Sequence, residues 1–226
     1  MNINKLHRFD LTRANAIKLQ AELAPAIKTV DQPEGNIFLI AGVDVSIGRQ
    51  GSTGRAAVVV INYPALEIIA ESIHEGPAAM PYIPGLLSFR ELPLILPALE
   101  KLDFEPDLFI VDGHGVAHPR RLGIAAHLGL FIDKPTIGCA KSRLCGKHDE
   151  VGWSRGSSAD LYEGDEVIGR VIRTREGSKP VYISVGHRIG LEFAASWVLK
   201  LTSRFRLPEP VRRAHLTAGR SANLKV

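Results

Sequence analysis

The chain reads as an α/β protein with a central mixed sheet, three antiparallel strands followed by parallel strands, flanked by helices. Three features predict this. Residues 37–45 and 108–111 are apolar almost throughout, as strands buried on both faces must be. Strand-like segments at residues 37–45, 56–61 and 66–73 follow one another through short turns rich in Gly, Ser and Asn-Tyr-Pro, which favours an antiparallel meander. Beyond residue 108 strand and helix patterns alternate, as they do where parallel strands are joined by crossovers.

Taken in order, Asp10 is placed to cap a helix over residues 11–30 whose apolar face is Leu11, Ile17, Leu19, Leu23 and Ile27, with Pro33 and Gly35 ending it. After the meander, Pro84-Gly85 leads into a helix over residues 88–102. Pro93 falls near its first turn, and Pro97 is expected to kink it. A strand at 108–111, a helix at 122–130, a strand at 136–139, short strands at 167–172 and 181–185 and a helix at 190–201 complete the alternation. A last helix over 206–216 is expected to be interrupted by Pro208 and Pro210. No internal repeat appears, so residues 1–226 are taken as one domain. This order of elements resembles a ribonuclease-H-like fold, in which the first and fourth strands are neighbours at the sheet centre.

A chain of 226 residues can bury such a core without disulfides. Its two cysteines, Cys139 and Cys145, have no metal-binding spacing, which fits a reduced compartment. The first residues lack a signal-peptide apolar region, and no stretch approaches about 18 uninterrupted apolar residues. A soluble, cytoplasmic protein without a membrane partner is expected, as a monomer. Charge is unevenly placed: from Lys200 onward seven Lys/Arg (Lys200, Arg204, Arg206, Arg212, Arg213, Arg220, Lys225) face one acid, Glu209, in a chain whose formal net charge is +4. A basic end on a near-neutral body is the footprint expected of a polyanion partner, a solvated surface being the alternative.

The two apolar strand patterns carry acids where their carboxyl ends should lie. In Ala41-Gly42-Val43-Asp44-Val45-Ser46 and Val111-Asp112-Gly113-His114-Gly115 a carboxylate interrupts a run that excludes water, and a buried carboxylate needs a partner. In open α/β sheets ligands bind at those strand ends. A third acid, Glu91, falls on the helix between strands three and four. Each has an ordinary alternative: a strand-end Asp forms turns, and Ser88-Phe89-Arg90-Glu91 has capping-box spacing. Three hard oxygen donors converging from separate elements are what Mg²⁺ requires, so the trio points to a divalent-metal nuclease.

Residues 81–91, Pro81-Tyr82-Ile83-Pro84-Gly85-Leu86-Leu87-Ser88-Phe89-Arg90-Glu91, place an aromatic between prolines. Such a turn is stiff, and a rigid aromatic at a loop tip can enter a base stack. Together with the two acid-bearing segments, the run continuing Val116-Ala117-His118-Pro119-Arg120, Ala140-Lys141-Ser142 and Gly186-His187-Arg188-Ile189, this segment makes the chain similar to the endonuclease V family of deoxyinosine-directed nucleases over essentially its whole length.

The resemblance implies Asp44 and Asp112 as metal ligands, with Glu91 a third carboxylate acting directly or through water. It implies a strand-separating wedge at Pro81, Tyr82, Ile83 and Pro84 and a base pocket at Gly85, Leu87, Gly113, Gly123, Ile124 and Ala140. Lys141 resembles the family's active-site lysine and His215 a position beside the metals. Phosphate contacts are assigned to Arg90, His118, Arg212 and Arg213, with His118 alternatively supporting the Asp112 loop. The implied cofactor is Mg²⁺, with Mn²⁺ as a substitute. The implied partner is DNA containing deoxyinosine, and RNA containing inosine is a further candidate. The implied reaction is a nick at the second phosphodiester 3′ to the lesion, leaving 3′-hydroxyl and 5′-phosphate ends. The rival readings are a partner-directed excision-repair-type nuclease of the same fold and a non-catalytic nucleic-acid-binding module.

Overall fold

The computed structural model describes residues 1–30, 33, 35–48 and 51–220. Strands β1 (Leu39–Ile47), β2 (Thr53–Asn62) and β3 (Ile68–Pro77) form the antiparallel meander. Helix α2 (Leu87–Glu100) leads to β4 (Leu108–Val111), parallel to β1, and helix α3 (Ile124–Ile132) leads to β5 (Thr136–Ala140), parallel to β4. Strands β6 (Ser158–Glu163), β7 (Glu166–Ile172) and β8 (Val181–His187) extend the sheet to eight, in the order β3-β2-β1-β4-β5-β8-β7-β6. Helix α1 (Arg13–Leu23) precedes the sheet; α4 (Leu191–Lys200) and α5 (Glu209–Gly219) follow it.

The central strands are apolar on both sides because both sides are covered. Successive side chains point to opposite faces. Ala41, Val43, Phe109 and Val111 pack with Leu92, Ile95 and Leu99 of α2 and Leu128 of α3. Ile40, Leu108 and Ile110 share the opposite core with Val198 of α4 and Val211 and Ala214 of α5. Helix α1 lies across the outside, with Ala16 against Leu86 and Phe89, and Leu23 against Leu122, Ala126 and Leu130.

Several expectations are corrected. Thr12, not Asp10, caps α1, its side chain accepting from the Asn15 N–H, and the helix stops at Leu23. Pro25 lies in the 3-10 turn Ala24–Ala26, where its missing N–H and its ring oppose continuation. Helix α2 begins at Leu87, so Ser88 is inside it and bonds His127 Nδ1 at 3.0 Å; the capping-box reading falls. Pro208 and Pro210 start α5 rather than interrupt it, because a proline in the first turn loses only an N–H that has no helical acceptor.

Parallel pairing is confined to β1, β4 and β5, because β8 returns antiparallel to β5 after a hairpin instead of a crossover helix. Strand β6 was not anticipated. It is a polar edge strand with only Leu161 buried, although its two-residue Gly164-Asp165 turn is a hairpin signal. Lys225, counted in the basic end, lies outside the described residues.

Candidate active site

Register brings the two strand acids together. Val43 of β1 pairs with Val111 of β4, and the Asp112 N–H donates to the Val43 carbonyl at 3.0 Å. Asp44 and Asp112 therefore leave neighbouring parallel strands at the same end of the sheet. The third group comes from α5, which crosses β1 at Gly42, where an added Cβ would lie 2.1 Å from the Pro210 carbonyl carbon. That close approach puts His215 Nδ1 2.6 Å from Asp44 Oδ2. Asp44, Asp112 and His215 each offer a ligand atom within 4.8 Å of the others.

Charge accumulates around this point. Burial pushes the Asp44 carboxyl above its usual range, and the Asp112 charge adds to it, against the bond from His215. Glu91 of α2 is pushed up to about 8, first by burial and then by Asp44. It makes no side-chain hydrogen bond among the described residues, has the Arg90 charge nearby, and is not one of the three residues whose ligand atoms lie within 4.8 Å of one another. Lys141, directly after β5, brings its ammonium against Asp112 Oδ2. That oxygen is shielded from solvent yet receives no properly directed hydrogen bond. Hard donors held together against their mutual repulsion fit a divalent cation. Because Nδ1–H of His215 is spent on Asp44, the 3.4 Å approach of Lys141 Nζ to that nitrogen is proximity and not a second bond.

A cavity of about 410 Å³ opens beside the acids, and Asp112 and Lys141 belong to its wall. All six expected pocket residues line it: Gly85, Leu87, Gly113, Gly123, Ile124 and Ala140. Reasoning from sequence missed Gln20, His114 and Leu144, which also line it. Gln20 is remote in sequence and looks like any polar helix residue, whereas His114 lies within a motif already singled out and Leu144 follows close on another.

The remaining expected residues divide. Tyr82 is 63% exposed on the cavity rim with Pro81 and Pro84 exposed beside it, while Ile83 packs back onto Leu86 and Phe89. The projecting element is thus Tyr82, with Ile83 as its foot. Arg90 is a correction: it is 8% exposed, with Nη2 donating to the Gly51 carbonyl at 3.1 Å and Nε without a partner among the described residues; its burial, not saturation of its donors, argues against a phosphate contact. Of the two readings of His118, the geometry favours the supporting one: it is 3% exposed, accepts from the Arg120 N–H at Nδ1 and donates from Nε2 to the Gly85 carbonyl. Burial and the neighbouring Arg120 push it down to about 4, so it stays neutral and supports the loop. Arg212 pairs with Glu209 and lies 4.2 Å from the Phe205 ring centroid; Arg213 reaches the same Glu209 but is more exposed.

Two strand-end carboxylates open to a cleft on a ribonuclease-H-like sheet define the class as that of metal-dependent nucleases. The model of the Endonuclease V family matches residues 21–216, and the chain belongs to that family. It is 52% identical over 219 residues to the endonuclease V of Dehalococcoides mccartyi, covering 97% of this chain and 98% of that one. The Bacillus subtilis endonuclease V structure superposes with a TM-score of 0.91 at 34% identity, over 96% of this chain and 95% of the other. A Ciona intestinalis endonuclease V, in complex with a 24mer DNA containing an inosine followed by a ribo-adenosine, matches with a TM-score of 0.79 at 26% identity, over 91% and 95%. The chain is accordingly a metal-dependent endonuclease. No helix among the described residues is long and apolar enough to cross a membrane.

Proposed function

We propose that this endonuclease accepts a deaminated purine, chiefly hypoxanthine, in the cavity and nicks DNA at the second phosphodiester 3′ to it, leaving 3′-hydroxyl and 5′-phosphate ends. The observation that carries this is the shared wall: Asp112 and Lys141 line the same cavity as Gly85, Gly113 and Gly123, so base and phosphate recognition meet in one cleft. Hypoxanthine carries an N1–H donor and an O6 acceptor where adenine has the reverse. Fixed backbone groups can separate the two by leaving the wrong base unpaired. The Ciona complex supports inosine as the lesion, and its ribo-adenosine keeps inosine-containing RNA as a second substrate.

The chain's own groups have separable tasks. Tyr82 fills the gap that the extruded base leaves, stiffened by Pro81 and Pro84. Lys141 neutralises Asp112 and presents its ammonium to a phosphate oxygen. His215 orients Asp44 through Nδ1–H. Glu91, pushed up to about 8 by burial beside Asp44, can hold or release a proton near neutral pH. Asp44 and Asp112 would hold Mg²⁺, or Mn²⁺ in its place, with Glu91 and His215 beside them, and the ion supplies polarisation of the scissile phosphate and of water. Cys139 is buried and both cysteines are free, which supports a reducing, cytoplasmic setting; a monomer suffices for every group named.

The test is cutting of a 5′-labelled duplex with one deoxyinosine beside its adenine control, with Mg²⁺ and with chelator. A Mg²⁺-dependent nick at the second linkage 3′ to inosine, absent from the control, is expected. Equal cutting of both strands would remove the base-pocket reading.

A further inference from the structure

We propose that Gln20 is a positioning residue that sets the spacing of the base cavity and thereby its selectivity, an inference that rests on the cavity receiving the lesion base. Gln20 lies on α1 and is 1% exposed. Its amide is saturated by three separate groups. Nε2 donates to the Gly85 carbonyl at 3.0 Å and to the Leu122 carbonyl at 2.9 Å, and Oε1 accepts from Arg120 Nε at 2.6 Å. The orientation is not reversible, because two carbonyls require the NH₂ and a guanidinium N–H requires the oxygen.

This one side chain ties together two backbone segments that both line the cavity. Gly85 ends the turn that carries Tyr82, and Leu122 precedes Gly123 and Ile124. The Gly85 carbonyl also accepts from His118 Nε2 at 3.0 Å and from Arg120 Nη2 at 2.9 Å, so three donors converge on one oxygen. Gly85 has φ +79°, a conformation that glycine favours, and an added Cβ would lie 2.8 Å from Arg120 Nη2. The whole cluster is therefore built around Gly85.

Anchoring α1 does not explain the amide. Ala16 and Leu23 already dock that helix onto Leu86, Phe89, Leu122 and Ala126 through apolar contacts. A buried amide adds little net stability there, but a fully satisfied polar network selects one arrangement of its members. A pocket that reads a base with backbone groups depends on that spacing, since small displacements unpair the bonds that discriminate.

The variant Gln20→Met keeps the length and volume of the side chain and removes all three bonds. In the full chain with Mg²⁺ we expect kcat/KM on the deoxyinosine duplex to fall about tenfold through KM, with kcat at saturation within about twofold. Affinity for the adenine control should stay constant, so that the inosine-to-adenine ratio falls. Arg120→Lys removes the Nε–H that fixes Gln20 Oε1 and so frees the amide to turn; if Gln20→Met folds poorly, it should shift the inosine-to-adenine ratio in the same direction by a smaller factor. Amide hydrogen exchange supplies a readout independent of substrate: residues 85–87 and 122–125 should exchange faster together in Gln20→Met while β1 and β4 keep their protection. Equal losses on inosine and control strands, a fall in kcat with KM unchanged, or unaltered exchange in the two segments would overturn the proposal. If the unaltered protein fails to separate inosine from adenine, the base-pocket reading fails, and exchange alone then decides whether Gln20 positions the two segments.

Discussion

His215 Nδ1 lies 2.6 Å from Asp44 Oδ2 although 171 residues separate them. The contact depends on Gly42, two residues before Asp44, because only a residue without Cβ lets the Pro210 backbone onto β1. Gly42→Ala should shift α5 off the sheet, lowering stability by about 1–3 kcal/mol, as overpacking does. Nicking should fall further than the lost stability explains, measured at a temperature where both proteins are folded. His215→Ala should lower activity without the drop in Tm. An unshifted Tm and full activity in Gly42→Ala would show that α5 does not need this approach.

Much of this site was legible in the sequence because an acid in a water-excluding strand is a local contradiction. Asp44 and Asp112 announced themselves that way, and the strand order that makes them neighbours came from the resemblance of the element order to a ribonuclease-H-like fold. The corrections came from tertiary contacts. Arg90 reads as a phosphate ligand by type, yet the fold buries it to 8% exposure, and burial with a bond to Gly85 favours the supporting role of His118 over phosphate contact. Gln20 has no local signal, since its three partners are distant in sequence. Strand β6 was lost among polar residues because an edge strand buries too little to show alternation.

Glu91 makes the metal-free protein sensitive to pH in a definite direction. Its carboxyl is pushed up to about 8 from the ordinary 4.5, first by burial, so the folded state binds the proton more tightly than the unfolded. The stability this confers is complete below about pH 4.5 and is lost as pH rises through about 8. Glu91→Gln mimics the protonated form at every pH. In chelator its Tm should match the unaltered protein in acid and exceed it increasingly above about pH 4.5. The gain should level off above about pH 8, at on the order of 1–3 kcal/mol. Thermal melts across that range check it, and a variant no more stable at alkaline pH would show that the carboxyl is not strained in the cleft.

Tyr82 and Ile83 should separate cleanly. Tyr82 is 63% exposed, so Tyr82→Ala should leave stability within about 0.5 kcal/mol while weakening affinity for the lesion duplex roughly tenfold. Ile83 packs on Leu86 and Phe89, so Ile83→Ala should lower stability by about 1–2 kcal/mol through lost burial. Melting curves beside binding isotherms in Ca²⁺ test the pair. Unchanged lesion affinity in Tyr82→Ala would end the wedge assignment.

The basic end of the chain should contribute less to nucleic-acid binding than its charge count implies. Arg212 and Arg213 share Glu209, which these partners, Arg212 foremost, hold below the usual carboxylate range. Arg212 is further occupied by the face of Phe205. Each phosphate neutralised steepens log K against log salt by about 0.9 on duplex DNA, through counterion release. Arg213→Ala should therefore flatten the slope by about one, equally for lesion and control strands, while Arg212→Ala should change it little and instead lower Tm by loosening the first turn of α5. Binding titrations from low to moderate salt distinguish the two. A slope reduced equally by either variant would mean that Arg212 leaves Glu209 and Phe205 when the strand arrives, and no change in either would return the segment to a solvated face.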